Sequence, residues 1–400
     1  MKPNLALIEL YTHSEVLLAC LRLNQFSGID MDVYTTEAVS EELSGVVEWE
    51  EIDENKIILK NDNQSINNFL CQFEEKIVTY DLLIVTTISS NFKTWNTILS
   101  KSKKSILVIH NFNTFFYESK RTIPISLNLQ SFLNLIRLVR AIVRNESFEK
   151  KELLENANWL LSLEGLNLNR LKEKNITYAN KLRFDLPTSF SLHPSDLKKT
   201  KNEILTITIP GSITDNGKQF DLIFNVFSKC ISFFQSRVRL ILLGSPKGVS
   251  GNRILEKFKA MKNNMLDVVS FEKPIERIDF EEFLKQSDFM LLPIGKTYNF
   301  GRYFEEYSIT SVSGTINDAI LFKIPAIIPN HYFLKDDLKL SLFQAFNNEQ
   351  ELENLLIDWV NNRTFSQNID LFNHIQDNYS IEYKADQWKN LLNYCINYNP

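Results

Sequence analysis

Ser311-Val312-Ser313-Gly314-Thr315-Ile316-Asn317-Asp318, followed by Ala-Ile-Leu-Phe-Lys-Ile and then Pro325-Ala326-Ile327-Ile328, is the stretch around which the chain is organised. Small and hydroxylated residues lead straight into an apolar helical run, which Pro325 closes before a short buried strand. A tight Ser-Gly-Thr turn at a helix start leaves backbone N–H groups free, with the helix dipole behind them, so it suits a phosphate or another anion. Taken locally, such a turn reads first as a cap. The rest of the chain decides between the two.

Upstream of that turn the pattern alternates strand and helix. Ile204–Ile209 reads as a strand broken by Pro210-Gly211-Ser212, and Lys218–Phe234 as a long helix. Val238–Leu243 is a strand ending at Gly244, Ile254–Met261 a helix, Val268–Ser270 a strand, Phe280–Gln286 a helix and Asp288–Leu292 a strand. Lys296–Tyr307 reads as irregular and aromatic. Helices follow near Asn348–Val360, Ser366–Asn378 and Ile381–Leu392. In the first half the strands are Leu5–Leu10, Met31–Thr35, Asp81–Thr86, Ser105–His110, Trp159–Leu163 and Ile176–Phe184, with helices between them. Apolar runs separated by helices imply parallel sheets covered on both faces. Residues 47–60 read as a small hairpin insertion, and 185–202 as the linker between domains. The expected organisation is α/β, with two doubly wound Rossmann-like domains at 1–190 and 203–380 and a C-terminal helix at 381–400.

Composition narrows the function. The chain has 400 residues, 44% hydrophobic, with a net charge of −5 and both signs mixed, which is not the footprint of a nucleic-acid binder. Cys20, Cys71, Cys230 and Cys395 form no CxxC pair and fit reduced thiols of a cytoplasmic protein. No apolar run reaches the length of a membrane span or a signal peptide. Arg137, Arg140 and Arg144 share one face of a helix over Leu129–Arg144. That face is either solvated or rests on an anionic membrane surface. No Walker loop, GxGxxG turn, HExxH helix or GxSxG elbow is present, which removes the enzyme classes built on them.

Candidate site residues lie at the carboxyl ends of strands, where ligands bind in open α/β sheets. His110 ends an apolar strand and is either a cleft residue or a histidine bonded to a loop carbonyl. His13 follows the first strand at the same edge, with Ser14 as the expected helix cap.

Two doubly wound domains, the Pro-Gly turn and the Gly-Thr-helix-Pro segment together resemble a GT-B-fold glycosyltransferase of the large retaining, nucleotide-sugar-dependent family. Pro210-Gly211-Ser212 with Lys218-Gln219-Phe220-Asp221-Leu222 is similar to that family's Gly-Arg…Lys-Gly-x-Asp-Leu phosphate loop. Asp288–Pro293 resembles its Ala-Asp-x-x-x-x-Pro strand. Gly314…Asp318-Ala319…Pro325–Ile328 is similar to its Gly…Glu-Ala-Met-Ala-Cys-Gly-x-Pro-Val-Ile segment. The chain departs from the pattern at Ser212 (Arg in the family), at Thr310 and Asp318 (both Glu) and at Thr12-His13-Ser14 (a Gly-Gly loop).

The resemblance implies a nucleotide-sugar donor as substrate, no cofactor or metal, and transfer to a glycan or lipid-linked acceptor in surface polysaccharide synthesis. Peripheral contact with the inner membrane surface would fit that task. Gly211, Ser212, Lys218, Ser313, Gly314, Thr315 and Asp318 would hold the donor, His110 and Lys218 would act on the reacting groups, and His13 and Ser14 would face the acceptor. The C-terminal helix would cross back to the first domain through Trp388, Leu391 and Leu392. A silent nucleotide- or partner-binding module and a nucleotide-sugar epimerase are the alternative readings.

Overall fold

The computed structural model describes residues 3–11, 13–46, 57–116, 136, 139, 141–169, 181–192, 204–301 and 303–398. The first sheet is built from β1 (Leu5–Glu9), β2 (Asp32–Thr36), β3 (Ile57–Lys60), β4 (Leu82–Val85), β5 (Ser105–Ile109), β6 (Trp159–Leu163) and β7 (Leu182–Leu186). The second uses β8 (Leu205–Pro210), β9 (Val238–Leu243), β10 (Leu266–Ser270), β11 (Phe289–Leu291), β14 (Ala326–Pro329) and β15 (Phe343–Phe346). Between β11 and β14 the hairpin β12 (Thr297–Phe300) and β13 (Tyr303–Glu306) stands apart.

Strand order is β3-β2-β1-β4-β5-β6-β7 in the first sheet and β10-β9-β8-β11-β14-β15 in the second, and every neighbouring pair is parallel. In each sheet the order reverses beside the first strand, β1 or β8. The loops leaving those strands therefore diverge and open a crevice. The cause is local: runs such as Leu82–Val85 and Leu205–Pro210 are buried along their whole length, and only a sheet covered by helices on both faces accommodates that.

Several expectations change. Residues 57–60 form an edge strand parallel to β2 rather than one arm of a hairpin, and 47–56 lie outside the described residues. Asp185 and Leu186, assigned to the linker, are the end of β7, while 193–203 lie outside the description. The stretch taken as irregular is β12–β13, turned at Gly301 with φ +61°. The long helix after Lys218 spans only Phe220–Cys230. Most of the Arg-bearing helix also lies outside the description; of its described part, Ile142 and Val143 are exposed.

The last helix, Ile381–Asn397, returns to the first domain as the resemblance implied. Trp388 is fully buried against the helix Ser14–Ser27, and its Nε1 donates to Asn24 Oδ1 at 2.8 Å. Leu391 and Leu392 join the same buried cluster, which draws residues from both sheets. Direct bonds also cross the cleft: the amide of Phe112 donates to the Thr310 carbonyl at 2.9 Å, and that of Asn167 to Ser308 at 2.8 Å. The four cysteines are free thiols, and only Cys71 is exposed.

Candidate active site

One wall of the crevice belongs to the second domain. β8 ends in Gly211, whose φ of +87° is a left-handed conformation that favours glycine. A Cβ there would sit 3.4 Å from Lys218 Nζ and 3.5 Å from Thr315 Cγ2. Gly211, Lys218 and Thr315 therefore converge, although more than 100 residues separate the first from the last. Lys218 is fixed by an antiparallel bridge to Ile294 and by the next amide, Gln219 N–H, which donates to the Pro293 carbonyl at 2.7 Å. Burial pushes the Lys218 pKa down to about 8 against the raising effect of Asp318. Ser212 is exposed beside this cluster.

The Ser-Gly-Thr turn opens the helix Gly314–Leu321 with Ser313 at the cap position, yet no side chain caps the helix. Ser313 Oγ instead pairs with Thr315 Oγ1 at 2.9 Å, and the Ser313 amide donates to the Tyr332 hydroxyl at 3.2 Å. Ser313 is thus the cap residue by position but gives the helix no side-chain bond. The Ile316 amide donates to the Ser313 carbonyl at 3.1 Å, while Gly314 at the helix start is exposed.

One turn further along, Asp318 lies 3.8 Å from Arg277, a residue the sequence reading did not select. Arg277 begins the helix Arg277–Lys285 and also bonds Glu281 at 2.9 Å. A cation in a helix's first turn opposes the dipole, and that was the available signal. Burial raises the Asp318 pKa to about 6; Arg277 opposes this and Glu281 adds to it, as does Glu15 from the other domain.

The facing wall comes from the loops after β1, β4 and β5. His13 and His110 stack with ring centroids 3.9 Å apart. His110 Nε2 lies 2.7 Å from the Thr86 carbonyl, which can only accept, so Nε2 carries the proton. Burial and the neighbouring His13 drive the His110 pKa down to about 3. Of the two sequence readings of His110, the bond to a loop carbonyl is the one seen. His13 Nδ1 lies 2.8 Å from Glu15 Oε1. Ser14 is not the cap; His13 occupies that position and Ser14 is the buried first helical residue. Beneath the histidines, Glu9 is fully buried and accepts from Thr86 Oγ1, Thr87 Oγ1 and the Tyr11 amide at 2.6–2.8 Å. A glutamate ending the apolar strand Leu-Ala-Leu-Ile-Glu was the readable sign of it.

The β12–β13 hairpin ties the two walls. Tyr298 hydroxyl donates to Asn111 Oδ1 at 2.7 Å and lies 2.8 Å from Ser311 Oγ. Glu305 is fully buried and accepts from the Thr114 amide and hydroxyl at 3.0 Å. Burial lifts its pKa to about 7, opposed by these and neighbouring hydrogen bonds. Thr310 Oγ1 accepts from the Glu306 amide at 2.8 Å, which closes the turn after the hairpin. Among the described residues no cluster of His, Cys, Asp or Glu could hold a metal ion, and no helix is long and apolar enough to cross a membrane.

No family model and no curated protein matches the chain. Solved structures do. HepE from Anabaena, in complex with UDP, superposes with a TM-score of 0.59 at 12% identity, covering 98% of this chain and 99% of that one. The pneumococcal O-GlcNAc transferase GtfA, with UDP and GlcNAc, gives 0.59 at 8% identity over 99% and 100%. A UDP-N-acetylglucosamine 2-epimerase gives 0.53 at 13% identity over 100% and 99%. At such identities the likeness concerns architecture. With its two parallel sheets, its facing loops and its returning last helix, the chain has the GT-B fold.

Proposed function

We propose that the protein is a glycosyltransferase that moves a hexosyl group from a nucleotide-sugar donor to a glycan or lipid-linked acceptor in surface polysaccharide assembly. The observation that carries this reading is the convergence of Lys218, Gly211 and the uncapped Ser313–Thr315 turn, one helical turn from Asp318. Glycosyl transfer needs the departing pyrophosphate stabilised while the sugar carbon gains oxocarbenium character. Lys218 and the exposed amides supply that charge without a bound metal, and Ser212 sits at the rim of their cluster. Asp318 accepts from the ribose hydroxyls, sharing them with Arg277. His110, neutral and held by Thr86, touches the donor sugar, while His13 and Ser14 face the acceptor. The exposed Ile142 and Val143 on the Arg-bearing helix suit peripheral contact with a membrane that carries the acceptor.

Thermal melting with UDP, GDP, CMP, ADP and dTDP tests the donor site. A ligand at a hundred times its Kd adds about 2.7 kcal/mol of stability. One nucleotide is expected to raise the melting point, and hydrolysis of the matching nucleotide sugar then separates a transferase from a silent binder. If none shifts it, the donor site is refuted. The presence of Thr310 where the resembling family has Glu makes the silent module the reading that would gain.

A further inference from the structure

Both large sheets are wound from parallel strands, and the antiparallel pair β12–β13 belongs to neither. Its root is fixed to the second domain. Asn299 exchanges two hydrogen bonds with Asn216, at 2.8 and 2.9 Å, and Tyr298 stacks on Tyr307 with ring centroids 4.6 Å apart. Tyr298 also presses on Gly217, where an added Cβ would fall 2.4 Å from the tyrosine Cβ. The hairpin is therefore fastened to the loop that carries Lys218.

Its inner face reaches the first domain. Tyr298 and Glu305 oppose each other in register, and Tyr303 shares their face. From that face Tyr298 bonds Asn111, and Lys150 Nζ lies 5.5 Å from the centroid of the Tyr303 ring. Glu305 accepts from the Asn113 amide at 3.3 Å and from the Thr114 amide and hydroxyl at 3.0 Å. Asn113 Nδ2 adds a bond to the Phe304 carbonyl. On the opposite face Thr297, Asn299 and Phe304 are exposed.

Glu305 stands out in this contact. One domain buries it fully among the amides of the other, and it makes no ion pair among the described residues. Facing it are the Tyr298 hydroxyl from the opposite strand and Thr310 from the turn that follows. Behind Thr114 stands Lys150, on the helix Glu146–Asn156, which donates to the Thr114 carbonyl at 3.1 Å. Burial disfavours a carboxylate that is charged and has no cation beside it, and tolerates a neutral one. Asn113 also carries a buried Oδ1 without a partner, an acceptor in the same contact for the proton of a neutral Glu305.

We propose that the β12–β13 hairpin is a proton-dependent clasp, which holds the two domains together across the cleft while Glu305 is neutral and releases them as Glu305 ionises. The clasp is made by the chain alone, so it does not depend on what the cleft binds. Burial raises the Glu305 pKa to about 7 against the lowering effect of its hydrogen bonds, whereas opening exposes the group and returns it to 4.5. The closed form thus binds the proton more tightly, and closing takes one up. The clasp is at full strength below pH 4.5 and is lost as pH rises through about 7.

Hydrogen exchange of the full chain, corrected for the intrinsic exchange rate at each pH, tests this. The amides of Phe112, Asn113 and Thr114 each donate across the cleft, as does that of Asn167 to the Ser308 carbonyl. Between pH 5 and pH 8 all four should lose protection together, by on the order of 100-fold. Glu305→Gln keeps the shape and cannot ionise, so it should stay protected at both ends of the range. Glu305→Ala should be open at both, and Tyr298→Phe should lower protection by one factor throughout. Wild-type protection that does not change with pH overturns the proposal. So does a Glu305→Gln protein with the wild-type response, which would then belong to another acid of the cleft such as Asp318. Loss confined to Phe112–Thr114, with Asn167 still protected, also overturns it, because the hairpin is then a flap that leaves the domains joined. Should Glu305→Ala fail to fold, the wild-type and Glu305→Gln profiles decide alone.

Discussion

Asp318, half-buried at the mouth of the cleft, and Glu164, buried at the seam where the domains join, are carboxylates that each have two cations near them. Glu164 leaves the end of β6 and lies 2.7 Å from both Lys335 of the second domain and Lys384 of the returning helix. Those contacts outweigh its burial and hold its pKa below the usual carboxylate range. Asp318 has only a 3.8 Å approach to Arg277, with Lys218 acting at longer range, and burial wins: its pKa rises to about 6. The first arrangement is complete. The second leaves lone pairs on the acid and charge on the lysine unspent, as the proposed donor site would require.

The largest expected effect lies at the seam. Glu164→Ala strands Lys384, whose side chain is 4% exposed, and should cost about 3–5 kcal/mol in urea unfolding. A loss below about 1 kcal/mol, the worth of a surface pair, would erase the contrast.

The two acids should also give opposite pH slopes. Asp318 binds its proton more tightly in the folded chain, so its contribution to stability is full below pH 3.8 and is lost as pH rises through about 6. At about 1.4 kcal/mol per pK unit, the span is up to about 3 kcal/mol. Glu164 runs the other way: its contribution is present above pH 4.5 and is lost as pH falls through its lowered folded value. Urea midpoints measured from pH 3.5 to 7 should show Asp318→Asn removing the decline towards neutral pH. Glu164→Gln should instead remove the decline towards acid.

At the cleft, Lys218→Ala should weaken nucleotide diphosphate binding by about 10–100-fold, the scale of a lost charged hydrogen bond, with little loss of apo stability. Calorimetry against melting of the unliganded protein separates the two quantities. The smallest effect on stability should come from Trp388→Phe, which loses the bond to Asn24 and part of the indole's packing, at about 1–3 kcal/mol. If it instead costs as much as Glu164→Ala, the returning helix is held by that indole and not by the Glu164–Lys384 pair.

Much of the fold could be read directly, because parallel strands buried on both faces appear as continuous apolar runs and the Pro325 stop is a local event. The two turns of the proposed donor wall were readable for a similar reason. Pro210–Ser212 and Ser313–Thr315 are turns whose geometry their own residues impose. The β12–β13 hairpin was not, since Tyr298 and Glu305 hydrogen-bond to partners as distant in sequence as Asn111 and Thr114, 187 and 191 residues away. Ser14 was misplaced as a cap because the cap is set by where the backbone leaves the helix, and here that residue is His13.

The amino-acid sequence by itself determined the two covered sheets, the loop edges carrying His13, His110 and Gly211, and the Ser-Gly-Thr turn at a helix start. How that turn's side chains pair was decided only in three dimensions. There Ser313 turned to Thr315, and Lys218 came beside Gly211. The charge states were decided there too: His110 neutral, His13 backed by Glu15, Asp318 half-answered by Arg277. A pKa depends on burial and on charges brought from distant segments, and neither quantity is carried by the residues on either side in the chain.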